Sequence, residues 1–189
     1  MRIIGGTSRG LRLSPLGDGD AAAHLRPTSD RVREAIFNLL INGGYGNPVQ
    51  GARVLDVFAG SGALGLEALS RGAAQACFIE NGVAAGALLR RNIDLMRAPD
   101  RCHILRRDAN KPGQNASAPY DLIFLDPPYG KGSGEKALTA LTPGWLANNA
   151  LIVWEENSAP IVPPGFDQLD QRKYGDTLVT ILGVAARTD

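Results

Sequence analysis

From residue 52 onward, the sequence alternates between short apolar segments of strand type and longer segments of helical type. This order predicts a mostly parallel, doubly wound α/β sheet, because parallel neighbours need a helical crossover between them. The two last segments flank Tyr174-Gly175-Asp176 and predict an antiparallel hairpin at the edge of the sheet, which makes seven strands in all. The strand-like segments are 52–58, 75–80, 102–107, 121–125 and 150–155, and the helical segments are 63–72, 82–97 and 134–147.

The first 48 residues precede this alternation and differ from it in character. Two short apolar segments within residues 1–19 flank GGTSRG, which predicts a small hairpin. Ser29-Asp30 precedes apolar residues at helical spacing from Val32 to Leu40, which predicts a capped amphipathic helix. The breaker-rich stretch NGGYGNP then marks a boundary. We therefore predict an N-terminal appendage over residues 1–48 and a main domain over residues 49–189.

The composition is typical of a cytoplasmic globular protein. The chain has 189 residues, of which 44% are hydrophobic, so a core can form without disulfides. The two cysteines show no framework spacing, and the first residues lack the apolar core of a secretion signal. No apolar run approaches the roughly 20 residues that span a bilayer. The two histidines stand apart from any ligand-like cluster, so neither a membrane partner nor a metal is expected.

The distribution of charge is more informative than the net charge of +1. Arginines are concentrated near the N-terminus, and arginine makes planar, bidentate contacts with phosphate. A nucleic-acid-binding surface and an ordinary solvated surface explain this equally well, because arginine predominates over lysine throughout the chain. The candidate RNA-binding residues are Arg2, Arg9, Arg12, Arg26, Arg31 and Arg33.

A glycine-rich loop follows the first strand of the alternation. Its sequence, GSGALG at residues 60–65, matches the G-x-G-x-x-G pattern that holds nucleotide cofactors at the start of a helix. Asp56 lies about four residues earlier, where a carboxylate would repel a pyrophosphate but attract an ammonium or sulfonium group. The loop therefore favours S-adenosylmethionine, which carries both cations, over NAD.

Acidic residues also follow the next two predicted strands. Glu80 lies about 20 residues beyond Gly60, the spacing at which an acid reaches ribose hydroxyls. Asp108 ends the third strand and could accept a hydrogen bond from an adenine amino group. Each acid alone fits a turn or a helix cap equally well, but together with the glycine loop they favour a nucleoside site. The candidate cofactor-binding residues are Asp56, Phe58, Gly60, Ser61, Gly62, Glu80, Asn81, Asp108, Ala109 and Asp126.

The stretch DLIFLDPPYG at residues 121–130 ends a buried strand abruptly. Two prolines cannot continue a strand, so Asp126 and Tyr129 are delivered to the carboxyl edge of the sheet. A rigid turn with a packed tyrosine would be the preferred interpretation without the glycine loop upstream. With that loop upstream, a ligand site at this edge of the sheet becomes the preferred interpretation of the tetrapeptide. Asp126, Pro127 and Tyr129 are thus the candidate catalytic residues.

These motifs carry a resemblance. VLDVFAGSGALGLEALSRGA and FLDPPYG resemble class I, Rossmann-like methyltransferases that use S-adenosylmethionine to modify exocyclic amines. RIIGGTSRG, RPTSDRVREAIFN and RKYGDT narrow the resemblance to the RsmD family of 16S ribosomal RNA guanine-N2 methyltransferases. The resemblance implies S-adenosylmethionine as cofactor and 16S rRNA, or the assembled small ribosomal subunit, as partner. A monomer is predicted.

Three other functions stay open at this point. A DNA adenine-N6 methyltransferase would carry a similar tetrapeptide, although about 50 N-terminal residues leave little room for a target-recognition domain. An NAD-dependent oxidoreductase fits GSGALG but leaves Asp56 in an unfavourable position. A binding module without activity is the third alternative, since a fold does not fix a function.

Overall fold

The computed structural model describes residues 1–14 and 29–185 of the chain. Within these residues, strands and helices alternate after a short N-terminal hairpin. The helices are α1 (Asp30–Asn42), α2 (Ala63–Ser70), α3 (Val83–Leu95) and α4 (Ser133–Leu141), with a 3₁₀ turn at Pro99–Arg101. The strands are β1 (Arg53–Val57), β2 (Gln75–Ile79), β3 (Cys102–Leu105), β4 (Tyr120–Leu125), β5 (Leu146–Glu156), β6 (Phe166–Tyr174) and β7 (Thr177–Val184).

The strands form one seven-stranded sheet in the order β3-β2-β1-β4-β5-β7-β6. Strands β1 to β5 are parallel to one another, and β7 is antiparallel to both β5 and β6. The predicted doubly wound sheet with an antiparallel hairpin is therefore confirmed. Successive strands are added in one direction from β1 to β3 and in the other from β4 onward. The switch point between β1 and β4 is where open α/β sheets bind their ligands.

The central strands are apolar because helices cover both of their faces. Val54 of β1 and Phe124 of β4 pack in a core with residues of α1, α2 and α3. Leu55 and Leu125 point to the other face and pack with residues of α4. Alternate residues of one strand thus enter two different cores, which explains the continuous apolar runs in the sequence.

Helix α1 begins where the capping pattern predicts. The Ser29 side chain accepts a hydrogen bond from the backbone N–H of Val32 at 3.2 Å, which satisfies one unpaired donor of the first turn. Phe37 on the buried side of α1 lies against Phe124, with 5.5 Å between ring centroids. The helix ends at Asn42, at the start of the predicted breaker-rich boundary.

The N-terminal hairpin packs directly on the helical layer. The backbone N–H of Ile3 donates to the carbonyl of Leu11 at 2.9 Å, and Ile3 and Leu13 are buried in the same core as β1 and β4. The N–H groups of Ile4 and Gly5 both donate to the carboxylate of Glu67 in α2, each at 2.8 Å. The hairpin and the main domain therefore share one core. The division into two units at residue 48 stays a prediction.

Several element boundaries differ from the prediction, and β5 begins at Leu146 rather than at residue 150. Helix α4 ends at Leu141 rather than near residue 147, because Pro143 has no N–H to continue the helix and Gly144 adopts a left-handed conformation with φ +80°. Strand β3 ends at Leu105, three residues before Asp108. Arg26, Thr28 and the last part of the predicted N-terminal hairpin lie outside the described residues.

None of the helices in the described part of the chain is long and apolar enough to cross a membrane.

Candidate active site

The glycine loop turns the chain from β1 into α2 through backbone conformations that few residues adopt. Phe58, Gly60 and Gly62 all have positive φ angles, of 62°, 54° and 78°. A Cβ on Gly62 would lie only 2.3 Å from a methyl carbon of Leu89, so glycine is required there by both conformation and space. The loop is therefore closely packed against the side chain of Leu89, and its backbone lies at the carboxyl edge of the sheet.

Glu80 fixes this loop to the next strand connection. It follows β2 directly and is 8% exposed. One of its carboxylate oxygens accepts from the N–H of Gly60 at 2.8 Å, and the other accepts from the N–H of Gly82 at 2.6 Å. A carboxylate has about four acceptor positions, so these bonds leave capacity for a ligand. Asn81 is exposed beside it.

Asp56 is a buried acid under the same loop. It is 2% exposed, and its carboxylate accepts from the N–H of Gly65, in the first turn of α2, at 2.9 Å. Burial raises the pKa of Asp56 well above its usual range, the bond from Gly65 acts in the opposite direction, and the charges of Asp126 and Glu80 raise the pKa further. Asp56 thus satisfies a backbone N–H in the first turn of α2, and the two neighbouring charges that act on its pKa are both negative.

Asp126 stands beside the glycine loop at the switch point. Val57 of β1 pairs with Leu125 of β4, and the N–H of Asp126 donates to the carbonyl of Val57 at 3.4 Å. Pro127 is buried, and Tyr129 is half-buried. The structure therefore brings the tetrapeptide, Asp56 and Glu80 to one edge of the sheet, although 70 residues separate Asp56 from Asp126 in the sequence.

Asp108 occupies a turn rather than the end of a strand. Because β3 ends at Leu105, the prediction that Asp108 ends this strand is wrong. Its carboxylate accepts from the backbone N–H of Asn110 at 2.9 Å, which is the turn role that short acidic residues commonly take. Asp108 is exposed, whereas the side chain of Ala109 is buried in the core on the α4 face.

The N-terminal arginines differ in their exposure. Arg33 is fully buried, and it forms ion pairs with Asp30 at 2.8 Å and with Glu67 at 3.6 Å. Its burial contradicts a direct contact with phosphate. Residue 33 belongs to the buried stripe of α1 together with Ile36, Phe37 and Leu40, and this helical spacing was the available signal. Of the other predicted RNA-binding arginines, Arg2, Arg9, Arg12 and Arg31 are exposed.

Two further polar residues support the reactive edge and are not among the predicted site residues. Glu156, at the end of β5, is 6% exposed and accepts a hydrogen bond from the N–H of Gly130, which follows the tetrapeptide. Asn92 of α3 is fully buried, and its amide donates to the carbonyl of Ser61 in the glycine loop at 2.9 Å. An acid at a strand end is a signal that could have revealed Glu156. No sequence pattern identifies Asn92.

Within residues 1–14 and 29–185, no group of three or more histidine, cysteine or acidic side chains is placed to hold a metal ion.

The sheet order, the glycine loop and the acids at its edge are those of a known enzyme class. A solved structure from Escherichia coli that is assigned to the methyltransferases covers 99% of this chain and 99% of its own, with 36% identity and a TM-score of 0.81. A Haemophilus influenzae structure assigned as a methylase covers 98% of both chains, with 28% identity and a TM-score of 0.76. The protein is a methyltransferase of the class I fold.

The sequence comparisons narrow this class to one family. The family model described as "Conserved hypothetical protein 95" matches residues 1–183. The ribosomal RNA small subunit methyltransferase D of Escherichia coli K12 is 42% identical over 167 residues, which is 86% of this chain and 79% of the relative. The protein of the same name from Haemophilus influenzae is 36% identical over 170 residues, or 87% of this chain and 83% of the relative. The chain belongs to the ribosomal RNA small subunit methyltransferase D family.

Proposed function

We propose that this protein transfers a methyl group from S-adenosylmethionine to the exocyclic N2 amine of a guanine in 16S rRNA of the small ribosomal subunit. The observation that carries the proposal is the position of Asp126, bonded to the end of β1 beside the glycine loop. In a member of this family, that position supports an amine-binding role for the tetrapeptide, next to the glycine loop.

The residues at the edge fit a cationic cofactor. The other side-chain charges that act on the pKa of buried Asp56 belong to Asp126 and Glu80, and both are negative. A sulfonium or ammonium group bound nearby would relieve this accumulation of negative charge. We assign Glu80, with Asn81 beside it, to the ribose hydroxyls, and the turn of Asp108 and Ala109 to the adenine. When bound, S-adenosylmethionine supplies the electrophilic methyl group.

The tetrapeptide prepares the acceptor amine. The lone pair of a guanine N2 amine is delocalised into the ring, so catalysis requires that it be localised and aimed. The Asp126 carboxylate and the Pro127 carbonyl accept hydrogen bonds from the amine, which favours a pyramidal nitrogen and stabilises the positive charge that develops on it. Tyr129 stacks on the base after it leaves its helix. After transfer, the nitrogen loses a proton to Asp126 or to water.

The exposed N-terminal arginines are the proposed contacts with RNA phosphate. Arg2, Arg9, Arg12 and Arg31 are exposed, as this role requires. Arg33 is left out because it is buried and paired, and Arg26 is proposed from the sequence alone. Action as a monomer in the cytoplasm also stays a prediction, which sedimentation and cell fractionation would check.

The test is a transfer assay with three acceptors. Radiolabelled S-adenosylmethionine is incubated with the protein and undermethylated small ribosomal subunits, deproteinised rRNA or duplex DNA, and the product is digested to nucleosides. We expect label in 2-methylguanosine from the small subunit or its RNA. Label in DNA alone would favour the adenine-N6 alternative, and binding of NADH without any transfer would favour the oxidoreductase.

A further inference from the structure

A groove lies between helix α1 and strand β6, apart from the glycine loop. Its volume is about 430 Å³, within the range of roughly 300–1,000 Å³ that is usual for ligand sites. Four of its lining residues carry hydrogen-bonding side chains, and one of these is aromatic. The groove is lined by Ala35, Asn38, Leu39, Asn42, Gly43, Arg172 and Tyr174.

The β6 wall of the groove lies at the same edge of the sheet as the tetrapeptide. Arg172 pairs with Val179 of β7, which pairs with Glu155 of β5. Leu125 of β4 pairs with the residue before Glu155, so Asp126 stands in the same row as Arg172. Three strand spacings of about 4.8 Å separate them by roughly 14 Å. That span corresponds to about four nucleotide steps at duplex spacing, and to fewer in an extended strand.

The side chains of the groove are those that bind unpaired bases. Tyr174 is half-buried, which leaves part of its ring available for stacking, and Asn38 and Asn42 present exposed amides one helical turn apart. The side chain of Arg172 is 54% exposed, and its Nε donates to the carboxylate of Asp170 at 2.9 Å. This ion pair orients the guanidinium and uses one of its five N–H groups.

The α1 wall of the groove continues towards an exposed arginine. Arg31, Ala35, Asn38 and Asn42 follow one another at intervals of four, three and four residues, so they lie along one face of α1. Arg31 is exposed and is one of the arginines proposed to contact phosphate. An RNA strand that enters the groove along α1 would therefore pass the positive charge of Arg31.

We propose that this groove binds an unpaired nucleotide of the RNA substrate that lies a few positions along the strand from the methylated guanine. The inference rests on the proposed function and adds a second nucleotide subsite to it. A protein occupant is less well matched, because the large apolar side chains that are exposed in the described residues, Met1, Val83, Leu95, Ile161 and Leu169, all lie outside the groove. Protein interfaces usually present such anchors at their centre.

The test measures transfer kinetics on undermethylated small subunits for Arg172→Ala, Tyr174→Ala and Tyr174→Phe. The matched control is Arg101→Ala, an exposed arginine before β3, at the opposite edge of the sheet. We expect Arg172→Ala and Tyr174→Ala to raise KM for the subunit by about tenfold, with kcat at saturation and the affinity for S-adenosylmethionine unchanged. Tyr174→Phe keeps the stacking ring and should stay within about twofold of wild type, as should Arg101→Ala.

Thermal unfolding of each variant separates weak binding from poor folding. Because Tyr174 packs partly against the core, Arg172→Ala keeps the test valid if Tyr174→Ala does not fold. Unchanged KM in a folded Arg172→Ala variant, with active wild type, would overturn the groove assignment and leave the proposed function standing. No transfer by wild type to any RNA would overturn both.

Photo-crosslinking distinguishes RNA from a ribosomal protein as the occupant. Small subunits that contain 4-thiouridine are irradiated with the wild-type enzyme, and peptides that carry a nucleotide are mapped by mass spectrometry. We expect the peptide that contains Arg172 and Tyr174 to be linked to RNA. In parallel, a photoreactive phenylalanine analogue replaces Asn38. A crosslink from this residue to a ribosomal protein, with no nucleotide on the β6 peptide, would contradict the proposal.

Discussion

The two aspartates of the reactive edge have the same side chain but different surroundings. Asp56 is 2% exposed and lies under the glycine loop, where it bonds to the start of α2. Asp126 is half-buried and directly follows β4 at the carboxyl edge of the sheet. We therefore propose different roles for the two: a cationic cofactor would favour the charged form of Asp56, and Asp126 would contact the reacting amine.

Replacement of Asp126 tests its catalytic role. We expect Asp126→Ala to lower kcat by about 10²–10³-fold at saturating cofactor, because a stabilising contact made mainly in the transition state is worth about that much. Methyl transfer to undermethylated subunits provides the measurement. Asp167→Ala, an exposed acid at the start of β6, is the control and should retain full activity. A similar kcat for both variants would remove Asp126 from the mechanism.

Replacement of Asp56 tests whether its charge contributes to cofactor binding and makes the stability of the protein depend on pH. The raised pKa means that the folded state holds this proton to higher pH than the unfolded chain does. Stability is therefore lost as the pH rises from the ordinary aspartate range through the raised pKa. We expect cofactor-free Asp56→Asn to be more stable than wild type at neutral pH, with a difference that shrinks towards acid pH, and to bind S-adenosylmethionine about tenfold more weakly.

Urea unfolding over a series of pH values and calorimetric titration with the cofactor measure these two effects. A difference in stability that does not vary with pH, or unchanged cofactor affinity, would show that the charge of Asp56 has no such role.

At the scale of elements, helix α2 organises the N-terminal half of the molecule through one buried acid. Glu67 is fully buried and accepts from the N–H groups of Ile4 and Gly5, and it pairs with Arg71 at 2.7 Å and with Arg33 at 3.6 Å. The N-terminal hairpin, α1 and α2 thus meet at a single carboxylate. The negative charge of Glu67 thus compensates the positive charges of two arginines that are buried or nearly buried.

Removal of this carboxylate should affect folding rather than chemistry. We expect Glu67→Ala to lower the free energy of unfolding by about 3–5 kcal/mol, because it removes a buried carboxylate that pairs with Arg33 and Arg71 and accepts from two backbone N–H groups. Glu34→Ala replaces an exposed acid of α1 and should change stability by less than about 0.5 kcal/mol. Urea unfolding monitored by circular dichroism compares the two variants, and equal stability would contradict this role for Glu67.

The sequence predicts elements more accurately than it predicts long-range polar contacts. Apolar periodicity and the Ser29 cap were sufficient for the sheet and for α1, because these signals depend on residues a few positions apart. Glu156 and Asn92 were not found, since their partners Gly130 and Ser61 are 26 and 31 residues away in the sequence. Arg33 is a different case, because its helical spacing with Ile36, Phe37 and Leu40 indicated burial within α1 itself.

At the scale of the molecule, the site is assembled from residues that lie far apart in the sequence. The adjacency of Asp56 and Asp126 follows from the sheet order, in which β1 lies next to β4. Which surface faces RNA depends on the arrangement of the exposed charges. Arg9 and Arg12 of the hairpin and Arg31 of α1 are exposed, and none has an ion pair among the described residues.

These three arginines should determine how strongly RNA binding depends on salt. If each contacts a phosphate, replacement of all three by alanine should reduce the slope of log K against log salt by about 2–3 and leave cofactor affinity unchanged. Filter binding of deproteinised rRNA at several salt concentrations measures the slope. Arg90→Ala, an exposed arginine of α3, is the control. An unaltered slope in the triple variant would show that these arginines do not contact RNA phosphate and belong to an ordinary solvated surface.

The bridge made by Asn92 has a practical consequence for anyone who redesigns this protein. Its amide group donates to Ser61 of the glycine loop and accepts, at 2.8 Å, from the backbone N–H of Ser14 at the end of the hairpin. Deletion of the residues before α1 would therefore remove one of the two hydrogen bonds that hold the Asn92 amide, and would loosen the glycine loop without altering any residue of that loop.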